Sequence, residues 1–453
     1  MGSNLLIFRL YLVLLVWLPL PLGSNRPWAW NLFELSVFLM SAGLIYQSRS
    51  KIDSSVGSLN KAIPLTPVFL ILAFAGIIFV RVFFELLGWL PEDSRFDLTA
   101  QLVHMRTSLA FAAFVFLTLR LVNSVERLKT LALVIVASGV FQAAYGSFMV
   151  LSGVEYGFFI KKGGYKDVAT GTFWNRNHFA NYLNLSLAIG TGLLLSQLYS
   201  KQASSRREKL RRLFTTFLSV KFVIRLGLAI MVIALVLSKS RMGNSAFFFS
   251  LFATSILWLA LTRNFSRNAV LLLVSLFVID SFIVGTWFGI DKVRERVQTT
   301  SFVKETRDEV NRDLIPMFKD HMVLGTGAGT FYTAFPQYRG ADIDLYYDHA
   351  HNDYGEFFTE HGIVGMVPLI LLVLLAYYHA LRVPFVRQRT LFKAFSFTVI
   401  MGLTATLIHA TVEFNLQIPA NAVMFLLVIS LAWTIRFMPG SVPSKHRHRE
   451  RSK

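Results

Sequence analysis

The stretch Asp348-His349-Ala350-His351-Asn352-Asp353-Tyr354 gathers two imidazoles, two carboxylates before the tyrosine and an amide within seven residues. Histidine has the unperturbed pKa nearest neutrality, so either ring could take a proton from an attacking hydroxyl. Glu356 and Glu360 follow one helical turn apart and could orient an imidazole or carry charge themselves. The same residues also read as a helix start, with Asp353 as N-cap and Glu356 three residues on as a capping box. A third reading is a metal site, since His-x-His-x-Asp supplies two imidazoles and a carboxylate. Zinc would need further ligands, and only scattered acids, His321 and His361 are at hand.

Three other clusters carry polar chemistry. Ser238-Lys239-Ser240-Arg241 ends an apolar run, and its guanidinium could grip a phosphate in a bidentate fork or snorkel to headgroups. Thr170-Gly171-Thr172-Phe173-Trp174-Asn175-Arg176-Asn177-His178 opens another apolar run. Amides and an arginine there suit an anion or a sugar hydroxyl, and equally suit a turn with an N-cap. Arg307 and Arg312 precede Gly325-Thr326-Gly327-Ala328-Gly329-Thr330-Phe331, which lacks the Gly-Lys-Ser/Thr ending of a phosphate-binding loop and reads as a tight turn.

The elements that must position these groups are membrane-spanning helices. The chain is 54% hydrophobic with a mean hydropathy of +0.53, and runs near twenty apolar residues recur along it. A helix of that length crosses about 30 Å of hydrocarbon. Twelve spans are expected, near 5–22, 28–47, 64–86, 104–121, 130–152, 176–198, 221–238, 243–261, 268–289, 362–381, 391–411 and 418–436. The expected fold is therefore an all-α polytopic transmembrane helix bundle of about 12 spans, with a large outside loop between spans 9 and 10. Residues 1–290 hold spans 1–9, 291–361 the loop with the histidine motif, 362–437 the last three spans, and 438–453 a basic tail. The formal charge of +19 does not point to nucleic acid, because the basic residues sit in short loops between apolar runs. Absence of cysteine removes disulfide and thiolate chemistry. Lys and Arg concentrate on one side, which puts both termini in the cytoplasm and all four polar clusters outside. Charges deep in the spans are few: Glu34, Arg81, Glu85 and Asp280.

Outside-facing arginines and a histidine fit the attack of an acceptor hydroxyl on a sugar linked to a lipid diphosphate. The arginines would stabilise the departing diphosphate while the histidine assists the nucleophile. A transporter or flippase without chemistry and a metal-dependent hydrolase are the competing classes.

From Gly171 to about Pro419 the sequence resembles the O-antigen ligase and polymerase superfamily. The most specific likeness is His351-Asn352, nine residues, then Gly362-Ile363-Val364-Gly365. Ser240-Arg241, the Gly171 segment, the Gly325 turn and Arg307 also look like family features. The resemblance implies a metal-independent, inverting glycosyltransferase of a bacterial inner membrane, acting on its periplasmic face with no cofactor and no nucleotide. The donor would be an undecaprenyl-diphosphate-linked glycan, and the acceptor a lipid A core or another glycan. His351 would be the base, with Arg241 and Arg307 holding the diphosphate in a lipid-accessible cavity. His349, Asn352, Asp353, Glu356, Asn175, Arg176 and Asn177 would support them. Met366-Val367 and Asn311 depart from the ligase pattern, which leaves a surface-polysaccharide polymerase as the alternative within the superfamily.

Overall fold

The computed structural model describes residues 2–52, 63–157, 160–197, 220–262, 269–278 and 307–439. Within these the chain is a bundle of helices: α1 (Gly2–Trp17), α2 (Pro27–Ile52), α3 (Thr66–Leu86), α4 (Leu98–Leu121), α5 (Val125–Ser152), α6 (Arg176–Ser196), α7 (Val220–Leu237) and α8 (Arg241–Leu261). They continue with α9 (Ala269–Val278), α10 (Arg307–Asp320), α11 (Phe331–Ala334), α12 (Asp353–Val386), α13 (Thr390–His409) and α14 (Pro419–Phe437). One short antiparallel hairpin, Tyr156–Gly157 with Ile160–Lys161, follows α5.

Each of the twelve expected spans falls on a helix where it is described, but nine described helices are long and apolar enough to cross a membrane. The nine are α2–α6, α8 and α12–α14. Among the described residues the count of about twelve is thus not confirmed, and α7 begins at the edge of the described residues. Pro19 and Pro21 interrupt the first apolar run, so α1 stops at Trp17. α9 is described over only ten residues. The suspected Asp280, the basic segment 201–212 and the basic tail lie outside the described residues.

α6 is the axis of the bundle. Of its most apolar window 94% is buried, so it has no lipid-facing stripe. It lies against α5, α7, α8, α13 and α14. Its closest neighbour is α13, and Gly192 permits the approach: a Cβ there would sit 1.9 Å from Thr398 Oγ1. Thr398 donates to the Ala188 carbonyl at 3.0 Å, fixing the register of the pair.

At the end of the bundle where α6, α8, α12 and α14 begin, side-chain caps satisfy the first backbone amides. Asn175 caps α6, Ser240 caps α8 and Asn352 caps α12. Over this end, residues 307–352 build a second small core of Val310, Leu314, Met317, Phe331, Phe335, Ile343 and Ala350. The Gly325 turn staples this cap to the bundle. Gly325, Gly327 and Gly329 all have positive φ, and a Cβ on Gly325 would lie 2.2 Å from the Glu360 carbonyl oxygen. The amides of Thr326 and Gly327 donate to the carbonyls of Thr359 and Glu360, and Arg81 Nε donates to the Gly325 carbonyl.

α12 is broken at Gly362 (φ 60°, ψ −175°). The amides of Ile363 and Val364 instead donate to the carbonyls of Met322 and Val323, at 2.8 and 3.2 Å. The expected tenth span, 362–381, is the part of α12 beyond this break.

Candidate functional site

His351 sits two residues before α12 with φ of 52°, a left-handed conformation uncommon for a non-glycine residue. Asn352 then caps the helix, its Oδ1 accepting from the amides of Tyr354 and Gly355, while its Nδ2 donates to Asn311 Oδ1. The expected cap, Asp353 with Glu356 in a capping box, is therefore replaced. Asp353 is the first helical residue, and its Oδ2 accepts from the Leu416 amide at 3.0 Å. The side chain that reaches the cap amides is the asparagine, one residue earlier.

The two histidines are held by different carboxylates. His351 Nδ1 donates to Glu413 Oε1 at 2.7 Å, and His349 Nδ1 donates to Glu356 Oε1 at 2.7 Å. Both carboxylates are buried, whereas both rings are partly exposed. In each ring Nδ1 is taken by the carboxylate, so the nitrogen left to face a substrate is Nε2. Phe414 stands between the pairs: His349 stacks on it at 4.3 Å and His351 meets it edge-on at 4.8 Å. Glu356 also accepts from the Ala350 amide and from Gln417 Nε2. Burial pulls the His349 pKa down, but Glu356, aided by Asp348 and Glu360, outweighs it and lifts the ring to about 9.

Glu413 is the candidate site residue that the sequence motifs missed. It is the sole acidic residue between 390 and 437, in a short connection between two spans, and that isolation was the available signal. Beyond His351 it accepts from Asn177 Nδ2, and His178 Nε2 lies 3.9 Å from it. Asn177 Oδ1 in turn accepts from Ser240 Oγ at 2.8 Å. One chain of hydrogen bonds, Ser240–Asn177–Glu413–His351, thus joins three of the sequence clusters. Arg241 follows Ser240 as the first residue of α8 and is exposed. Asn175 caps α6 through the Asn177 amide, and Arg176 lies over the Tyr165 ring at 5.8 Å.

The fourth cluster is partly elsewhere. Arg307 opens α10, and its side chain lies outside the described residues. Arg312 is engaged in the cap with Asp313 and Asp342. Among the described residues no three His, Asp or Glu side chains cluster as a metal ion needs. His349, His351 and Asp353 each turn to a separate protein partner.

Below the histidines a cavity of about 340 Å³ opens between α3, α4, α12 and α14. Its walls are apolar, with Phe74, Phe111, Phe357 and Phe425 among them. Polar side chains in its lining include those of His104, Thr107, Asp353 and Gln417.

No curated protein matches the chain. Residues 226–370 match the family described as O-antigen ligase, a stretch that contains Arg241, the cap, both histidines and the Gly362 break. The chain thus joins a set of membrane-spanning helices to a region, residues 226–370, that is similar to the O-antigen ligase family.

Proposed function

We propose that the protein is an inverting glycosyltransferase that moves a glycan from an undecaprenyl-diphosphate donor to an acceptor hydroxyl, on the periplasmic face of a bacterial inner membrane. The observation that carries this reading is the His351–Glu413 pair, joined through Asn177 to the Ser240 that precedes Arg241. A base, its orienting carboxylate and a phosphate-binding cation are thereby tied into one frame.

In the reaction, the acceptor O–H gives its proton to His351 Nε2 as its oxygen attacks the anomeric carbon. The bond from that carbon to the diphosphate oxygen breaks, and the electron pair leaves with the diphosphate. Glu413 stabilises the imidazolium that forms and holds the ring so that Nε2 faces the substrate. Arg241 and Arg307 bind the departing charge. A single displacement inverts the anomeric centre, and the donor is already activated, so no nucleotide is consumed. The apolar cavity under the histidines suits the first part of a lipid chain. Lipid A core and a second repeat unit are both acceptors that this arrangement accommodates, the second making the enzyme a polymerase.

The test is His351→Ala against wild type at matched membrane levels in cells lacking the native enzyme. Loss of surface glycan together with accumulation of the lipid-diphosphate-linked donor supports the transferase, and polymer length separates ligase from polymerase. Unchanged glycan removes His351 as the base.

A further inference from the structure

The transferase reading uses one histidine, yet the structure builds two histidine–carboxylate pairs, both with their rings against Phe414. The second pair is made with equal care. Glu356 is 1% exposed and takes three donors, of which His349 is the one that can carry charge. Burying a carboxylate is costly unless it is paired or hydrogen-bonded, and the imidazole 2.7 Å from Glu356 is placed to supply a counter-charge. The stack on Phe414 fixes the ring plane, and Nδ1 is committed to Glu356, so the second N–H of the imidazolium points away from the protein anchor.

We propose that His349 is a fixed, positively charged phosphate ligand, donating from Nε2 to an oxygen of the diphosphate while His351 acts as the base. This rests on the transferase reading. His349 transfers no proton: as the glycosyl–oxygen bond breaks and its electron pair moves to the diphosphate, the Nε2–H bond to that group strengthens. Besides Glu356, His349 has two further carboxylates near it, those of Asp348 and Glu360. The ring of His349 is held near a pKa of about 9, too basic to be an available proton acceptor at neutral pH and well suited to stay charged. The groups that face it are Glu356 and Glu360 from α12, Asp348 beside it, His104 from α4, His178 from α6 and Asp353 at the helix start. The carboxylates of Glu356, Asp348 and Glu360 raise it and dominate.

The experiment uses the full chain in lipid vesicles, with inorganic pyrophosphate as a competitive probe of the diphosphate site. His349→Gln is expected to weaken pyrophosphate inhibition and raise the donor KM, each by about tenfold or more. Wild-type turnover should fall as pH rises through about 9, and His349→Arg, which keeps its charge there, should retain pyrophosphate inhibition and lose that alkaline limb. His349→Gln leaves Glu356 buried without its cation, so the double variant His349→Gln/Glu356→Gln provides a second route to the same answer. Pyrophosphate inhibition at wild-type strength in either neutral variant overturns the proposal. Wild-type protein that binds pyrophosphate through His349 but transfers no glycan from a polyprenyl-diphosphate donor would keep the anion site and overturn the transferase. Active wild-type enzyme with His349 variants of unaltered inhibition would do the reverse.

Discussion

His351 and Glu413 stand 62 positions apart in the chain and meet through a 2.7 Å hydrogen bond at the start of α12. The pairing fixes which ring nitrogen faces substrate, because Nδ1 is occupied. The left-handed backbone of His351 directly precedes the Asn352 cap of the helix.

Glu413→Ala should therefore lower turnover by about 10²- to 10⁴-fold, with donor KM changed far less. Initial rates in lipid vesicles across a range of donor concentrations would show the split. A rise in KM with normal turnover would place Glu413 in donor binding instead.

Asn177 is expected to act through Glu413. One hydrogen bond to a charged group contributes roughly 1.5–3 kcal/mol, so Asn177→Ala should slow turnover by about ten- to a hundredfold. In the Glu413→Ala background the same substitution should add little, which a double-mutant cycle would measure. Full additivity would mean that the chain from Ser240 to His351 is not a unit.

The His349–Glu356 pair makes stability depend on pH with a definite sign. The folded-state pKa of His349, about 9, lies above the unfolded value near 6.5. The bound proton favours the folded state fully below about pH 6.5, and that contribution is lost as pH rises through about 9. Thermal unfolding in detergent should show a falling midpoint across that window. Glu356→Gln should flatten it.

Asp97 gives the opposite case. The Tyr332 hydroxyl, followed by the Ala100 amide, holds its carboxyl below the usual range. Its stabilising contribution is present at neutral pH and is lost as pH falls through that depressed value. Tyr332→Phe should cost about 1 kcal/mol at neutral pH and shift acid unfolding to higher pH, while leaving glycan transfer intact. An unaltered acid transition would show that the cap is not anchored through this residue.

Much of this was legible from residue types. Apolar run length located α1 to α9 and α12 to α14, since burying backbone in hydrocarbon leaves helices as the solution, but not α10 and α11 in the expected loop. His351 and Ser240-Arg241 were legible because charged or titratable groups at the edge of apolar runs need a reason to be there. Glu413 was not, because its role depends on α13 ending beside α6, and no local spacing encodes that meeting. Asn352 displaced Asp353 as the cap for a related reason: Asp353 is claimed by the Leu416 amide, a partner supplied from 63 residues away. Glu356 was open to both readings, and its neighbour in space, His349, decided between them.

The break at Gly362 divides α12 mechanically. Residues 353–361 are sewn to the Gly325 turn by the amides of Thr326 and Gly327, whereas the rest of the helix runs on through the apolar span. A bilayer that thickens or thins acts on a spanning helix by tilting it. Here the tilt would be taken up at Gly362, and residues 353–361, with the Glu356 that anchors His349 among them, would keep their pose. The start of α12 is in this sense suspended from the cap rather than moored in the lipid, so its pose is insulated from membrane thickness.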